Sequence, residues 1–203
     1  MNLNTHSFIL QNNDITLRPM TENDWDILLR WNSDPEVLYF SEGDDVTSYS
    51  LDEIQGIYRG VSQDAFCFII ELSGDPIGEG WLQDMNMDRI LNRHPGKVCR
   101  RIDLMIGEKQ FWGQGIGTTV IRMLTHFGFE QKTSMIFACG VADYNPRSLK
   151  AFQKVGFEIV DKIKELPGSK AKYVYDLAIT WTKWQEMTAN NPQHYSPIRF
   201  SSI

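Results

Sequence analysis

Gln110-Phe111-Trp112-Gly113-Gln114-Gly115-Ile116-Gly117-Thr118 sets three glycines at alternate positions, directly ahead of the apolar-periodic run Ile116, Val120, Ile121, Leu124 and Phe127. That pattern predicts an anion cradle opening a helix. Glycine lets backbone N–H groups turn toward an anion with no side chain in the way, and the first-turn N–H groups of a helix have no intrahelical partner. The helix dipole adds partial positive charge at the same point. Just upstream, Arg101-Ile102-Asp103-Leu104-Met105-Ile106 reads as a buried strand carrying one acid. The unit is therefore strand, glycine loop, helix.

The spacing excludes two nucleotide sites. A dinucleotide fingerprint needs G-x-G-x-x-G and, about 20 residues on, an acid at a strand end. Here the spacing is G-x-G-x-G, and Met135-Ile136-Phe137-Ala138-Cys139 contains no acid. A P-loop ends in Gly-Lys-Ser/Thr so that lysine reaches the terminal phosphates, whereas Gly117 is followed by Thr118 and Thr119. What fits is a pyrophosphate held mainly by backbone amides and carrying a long arm back along the preceding strand, as in acyl-coenzyme A.

Composition narrows the field further. The chain has 203 residues, enough for one domain with a substantial core, and a formal charge of −6. That charge, with Arg100-Arg101 as the sole adjacent basic pair, excludes a nucleic-acid footprint and suits a cationic small molecule. Cys67, Cys99 and Cys139 sit far apart in apolar runs and read as buried reduced thiols of a cytoplasmic protein. His6, His94, His126 and His194 show no metal-ligand spacing, so no metal is expected. Neither a signal peptide nor a run of some eighteen apolar residues is present, so no membrane association is expected.

Outward from the loop, Ile15-Thr16-Leu17-Arg18-Pro19 alternates and predicts a first strand. Thr21 with Asp24 starts a helix through Trp25 to Trp31 that Asp34-Pro35 ends, and Ser50-Leu51-Asp52-Glu53 caps a second through Tyr58. Between them lies an acidic loop, Glu42-Gly43-Asp44-Asp45. Phe66–Leu72, the turn Ser73–Pro76 and Ile77–Leu82 predict a hairpin, in which Gly78 and Gly80 bracket Glu79 and mark close approach of another backbone or a ligand. Asp84–Gly96 is a polar loop long enough to cover a site. Ser134–Cys139 reads as a strand buried on both faces. Asn145-Pro146 opens a helix that Gly156 stops, and Phe157–Val160 and Tyr173–Ile179 are the last strands. The order predicts one α/β domain, a central mixed sheet with helices on both faces, over residues 1–187; residues 188–203 read as a polar extension, flexible or docked on a partner.

The loop, together with Asn145-Pro146-Arg147-Ser148-Leu149-Lys150-Ala151-Phe152-Gln153-Lys154-Val155-Gly156-Phe157, resembles the GNAT acetyltransferase superfamily over nearly the whole stretch from Ile15 to Ile179. The resemblance is closest to the aminoglycoside 6′-N-acetyltransferases, through Trp31-Asn32-Ser33-Asp34-Pro35-Glu36-Val37, the acidic loop, Pro76-Ile77-Gly78 and Ile102-Asp103-Leu104-Met105-Ile106-Gly107. It implies a GNAT-like, mostly antiparallel sheet and acetyl-coenzyme A as co-substrate. Its pantetheine arm would lie along Leu104, Met105 and Ile106, its pyrophosphate on the loop Phe111, Trp112, Gly113, Gln114, Gly115, Ile116, Gly117 and Thr118, with Asn145, Ser148 and Phe152 on the flanking helix. Asp103 aligns with the acid assigned as general base. The acidic set Glu42, Asp44, Asp45, Glu79, Asp84 and Asp103, with Trp81, would bind a cationic amine. The alternative for Asp103 is a structural acid held by Arg100 or Arg101.

Two positions depart from the pattern. Phe152 stands where the superfamily often has a tyrosine acid for the leaving thiolate, so the thiolate leaves unassisted, or Tyr144 or water serves; Gly140 stands where several aminoglycoside enzymes carry an aspartate. The opening Thr-Leu-Arg-Pro is also similar to ribosomal-protein N-terminal acetyltransferases, which makes a peptide amine the second reading, and Phe152 makes a non-catalytic acyl-coenzyme A binding module the third. A monomer or a homodimer is expected, an edge strand near Tyr173 being the candidate subunit contact.

Overall fold

Side-chain caps fix where the helices begin. Thr21 and Asp24 form a reciprocal cap over a 3-10 turn at Glu22–Asp24, and Ser50 and Glu53 do the same for the third helix. Asn145 accepts from the Ser148 amide, with Pro146 at the first helical position. The computed structural model describes residues 2–42, 46–190 and 199–202. Its elements are β1 (Phe8–Asn12), β2 (Ile15–Pro19), α1 (Trp25–Trp31), α2 (Pro35–Ser41), α3 (Leu51–Val61), β3 (Ala65–Leu72), β4 (Asp75–Asp84), α4 (Asp88–Leu91), β5 (Cys99–Ile106), α5 (Ile116–Glu130), β6 (Met135–Ala142), α6 (Pro146–Val155), β7 (Glu158–Lys164), β8 (Tyr173–Thr180), α7 (Trp181–Asn190) and β9 (Arg199–Ser202).

Among the described residues the strands form one sheet in the order β7-β8-β6-β5-β4-β3-β2-β1-β9, antiparallel except for β5 with β6. The mixed, mostly antiparallel α/β sheet expected from the sequence is what the structure has. Helices cover both faces: α5, α6 and α7 bury Val120, Leu124, Phe127, Phe152 and Trp184 against Leu82, Ile102 and Ile136, while α1 and α3 bury Leu28, Trp31, Ile54 and Tyr58 against Cys67, Ile69 and Met105. Ile136, Phe137 and Ala138 are buried on both faces of β6 as expected.

Five features differ from or add to the sequence reading. β1 precedes the expected first strand, joined to β2 through Asn13 at φ 51. Asp34-Pro35 ends α1 but also starts α2, since Asp34 accepts from the Glu36 and Val37 amides with Pro35 at the first helical position. The polar loop contains α4, and Arg199–Ser202 of the tail pairs with β1. Tyr173 itself lies on β8, between β6 and β7; among the described residues the sheet edges are β9 and β7, and the edge strand β7 pairs with Tyr173 through Lys164.

The start of the chain packs through His6. The Phe8 amide donates to His6 Nδ1 at 3.2 Å, so Nε2 carries the proton and donates to the Cys67 carbonyl at 3.0 Å. The ring lies 4.4 Å from that of Phe68 and 5.6 Å from that of Phe66. Burial lowers its pKa to about 4. The folded value lies below the unfolded one, so this contribution is complete above pH 6.5 and is lost as pH falls toward 4, up to about 3 kcal/mol. Melting temperature is therefore expected to fall with acidification through that window, and His6→Phe to flatten that part of the profile.

Candidate active site

β5 and β6 are paired only where Cys99–Arg101 meets Met135–Phe137. Beyond that point both strands continue without pairing to each other, and a cleft of about 810 Å³ opens between Ile102–Ile106 and Ala138–Ala142. A break in the β6 register causes the parting. Between Ala138 and Val141 the pairing with β8 shifts, with Gly140 at φ 71. Asp176 of β8, 2% exposed, holds the bulge by accepting the Gly140 amide at 2.9 Å, while Arg89 of α4 donates to both its carboxylate oxygens at 3.0 Å. The loop expected to cover a site thus pins the strand that opens it. Arg89→Met would leave the Asp176 carboxylate buried without its guanidinium, and the expected cost is about 2 kcal/mol, or roughly 5 °C of melting temperature. Adding Asp176→Asn should recover part of that loss in a double-mutant cycle.

One end of the cleft is the glycine loop. Gly113 and Gly115 adopt φ 77 and 85, and a Cβ at either would meet nothing within 4 Å, so the positive φ rather than crowding selects glycine there. Gly115 is the N-cap of the 15-residue α5 and supplies no side-chain cap, which leaves the amides of its first turn directed at the cleft. Leu104, Met105, Ile106, Phe111, Trp112, Gly113, Gly115, Ile116, Gly117, Thr118, Asn145, Ser148 and Phe152 all line this space. Gln114 does not; its side chain donates to the Gln110 carbonyl at 2.7 Å on the exposed side of the loop. Asn145 spends its side chain on the α6 cap and on the Phe40 carbonyl, 3.1 Å away. Phe152 is 3% exposed and packs on Phe157. Tyr144, the alternative acid, donates its hydroxyl to the Glu42 carbonyl at 3.0 Å.

The opposite wall is acidic and aromatic. Glu79 stands opposite Met105 and Trp81 opposite Asp103 in the β4–β5 register, so all four share the sheet face that α1 and α3 cover. Arg101 donates to both Asp103 oxygens, at 2.7 and 2.6 Å, and the Trp81 indole donates to one of them at 3.1 Å. The structural alternative for Asp103 is therefore present in the geometry, beside its place in the cleft. Glu79 is 4% exposed, the Tyr58 phenol beside it favours its ionised form, and its Oε2 has no hydrogen-bond partner. Burial, and after it the charge of Asp103, push the Glu79 carboxyl well above the usual carboxylate range. Glu42 lines the rim, whereas Asp84 pairs with Arg100 at 2.8 Å outside the cleft. Asp44 and Asp45 lie outside the described residues.

Sequence reasoning missed three contributors. Tyr58 reads as one more apolar position of an amphipathic helix. Asp176 sits in a strand with no local sign of its charged partner. Arg147 of α6 stacks over Phe40 of α2 at 4.3 Å and Trp112 of the loop at 4.4 Å, an arrangement with no local sequence signal. Cys139 also lines the cleft, but burial and the neighbouring Asp176 push its thiol up to about 12, which removes it as a nucleophile near neutral pH.

Residues 14–158, and so the parted strands, the glycine loop and α6 together, match the acetyltransferase (GNAT) domain family. The chain belongs to that family. It is similar to the aminoglycoside N(6′)-acetyltransferases type 1 of Klebsiella pneumoniae and Serratia marcescens, each 25% identical over 173 residues that cover 78% of this chain and 81% of the relative. Its fold superposes on aminoglycoside acetyltransferase AAC(6′)-Ib in complex with ribostamycin and coenzyme A with a TM-score of 0.73, 21% identity and coverage of 85% and 96%. Spermidine N-acetyltransferase from Vibrio cholerae, in complex with coenzyme A and spermine, gives 0.70, 18%, and 86% and 99%. As a member of that family the chain carries an acetyltransferase domain. The open amide cradle and the parted strands would fit the pyrophosphate and long arm of an acyl-coenzyme A donor. No described helix is long and apolar enough to cross a membrane.

Proposed function

We propose that the protein acetylates the 6′-amine of an aminoglycoside. One observation carries the reading: a single cleft joins an amide cradle for the donor's pyrophosphate to a wall where Glu79 and Asp103 stand beside Trp81, with Glu42 at the rim. A polycation needs such counter-charges, and an aromatic wall gives its sugar rings an apolar surface. The similarity to the two aminoglycoside N(6′)-acetyltransferases supports the same acceptor.

In this account the pantetheine arm runs along Leu104, Met105 and Ile106, and β5 amides that point toward the parted β6 stabilise the oxyanion on the thioester carbonyl. Asp103 and Glu79 hold the acceptor's cationic group. The amine attacks directly within a ternary complex, because the Cys139 thiol is protonated and no acyl-enzyme is needed. Phe152 donates no proton, so coenzyme A leaves as a thiolate, which is a modest base.

Thiol release from acetyl-coenzyme A tests the reading with four acceptors: a kanamycin-type aminoglycoside, its 6′-hydroxy analogue, spermidine, and peptides with free N-termini. Saturable release with the first and none with the analogue is expected. Release with spermidine or peptides alone would replace the acceptor, and release with none of them would favour a non-catalytic acyl-coenzyme A binding module.

A further inference from the structure

Among the described residues, Glu79 is the cleft carboxylate with a buried oxygen that lacks a partner. Its Oε2 is buried and has no hydrogen-bond partner, a costly arrangement unless something else supplies one. The polar chain behind it is directional. The Asn32 amide nitrogen donates to the Leu28 carbonyl at 2.9 Å and to the Tyr58 oxygen at 3.2 Å, so the Tyr58 hydroxyl hydrogen stays available to an acceptor, and Glu79 is the carboxyl beside it. Tyr58 thus sets a phenol beside the carboxyl, while Oε2 remains without a partner. Asp103 differs: both its oxygens already accept from Arg101, and Trp81 takes a further lone pair.

We propose that Glu79 takes the proton from the acceptor ammonium, with Tyr58 as its positioning residue and the Arg101-paired Asp103 as a fixed charge beside it. The proposal rests on the reading of this cleft as one that acetylates an amine. The ionised Glu79 carboxylate removes one proton from the R–NH₃⁺ group. The neutral amine then attacks the thioester carbonyl; the C–N bond forms, the C–S bond breaks, the coenzyme A sulfur leaves with the electron pair and takes the second nitrogen proton. The amide and the free thiol are the products, and the Glu79 proton returns to water.

The groups that face Glu79 are Tyr58 from α3, Cys67 from β3, Asp103 from β5 and Glu42 beyond α2. Burial first, and the charges of Asp103 and Glu42 after it, make Glu79 hold its proton to higher pH than an ordinary carboxylate, the nearby Arg101 being committed to Asp103, and a bound ammonium reverses that by supplying a counter-charge. A base whose proton affinity is raised toward the working pH is matched to its task.

The test compares wild type, Glu79→Gln and Asp103→Asn in kcat/KM against pH, in acetyl-coenzyme A affinity, and in proton release on aminoglycoside binding, measured calorimetrically in two buffers of different ionisation enthalpy. Wild-type activity should rise with pH through a limb above the usual carboxylate range, with a proton released on aminoglycoside binding at pH values below that limb. Glu79→Gln should lower kcat at least roughly 100-fold, lose the limb and the released proton, and keep acetyl-coenzyme A affinity. Its melting temperature at pH values above the wild-type limb should equal or exceed wild type, because a buried charge is gone. Asp103→Asn should raise KM and keep the limb, moved to lower pH by loss of the like charge. A Glu79→Gln variant with wild-type kcat, limb and proton release, or an Asp103→Asn variant that loses the limb instead, would overturn the proposal and leave the acetyl-transfer reading standing. A wild type that transfers to no amine would overturn both.

Discussion

Gly78→Ala is expected to cost about 3 kcal/mol and to lower the melting temperature by roughly 10 °C. A Cβ at Gly78 would lie 2.3 Å from the Met105 carbonyl oxygen and 2.9 Å from the Ile106 Cα, both backbone atoms that no rotamer change can move aside. β4 and β5 would have to separate where they carry Glu79 and Met105, so acetyl transfer should fall with stability. Gly56 in α3 is the control, since a Cβ there meets nothing within 4 Å; Gly56→Ala should stabilise by about 0.5–1 kcal/mol. Thermal melts of the two variants check the pair, and their opposite signs exclude a general intolerance of glycine replacement.

Gly115→Val should raise the dissociation constant for acetyl-coenzyme A by 10-fold or more. The residue sits at φ 85, where a β-branched side chain costs about 2 kcal/mol, and the loop relieves that strain by turning its amides away from the cleft. No neighbour lies within 4 Å of the added Cβ, so the fold should survive with a small change in melting temperature. Calorimetric titration with acetyl-coenzyme A reads the effect. Unchanged affinity would mean that the loop is a helix cap and not an anion cradle.

The parts legible in the sequence were those where one residue type answers one local demand. Asn145-Pro146 opens α6 and Gly156, at φ 104, closes it. Gly78 and Gly80 marked close approach of another backbone, and that backbone is β5, against which both would place a Cβ. The alternate glycines ahead of Ile116 marked a turn into a helix whose amides remain open. Asp34-Pro35 misled because one dipeptide does two jobs: proline prevents α1 from continuing and, behind an aspartate cap, starts α2. Pairings between distant segments had no local signature. Arg89 lies 87 residues from Asp176, and nothing in either segment announces that together they hold the bulge that parts β6 from β5. Asp103 stood out as an acid in an apolar strand, yet Arg101, two residues away on the same face, satisfies it. Glu79, less conspicuous beside its glycines, retains the open oxygen.

The most direct measurement is the position of the new acetyl group. The protein is incubated with acetyl-coenzyme A and an aminoglycoside bearing several amines including one at 6′, and the product is assigned by two-dimensional NMR. The account predicts a single product acetylated on the 6′-nitrogen. Acetylation at another ring amine, or recovery of unmodified drug after prolonged incubation, would contradict it.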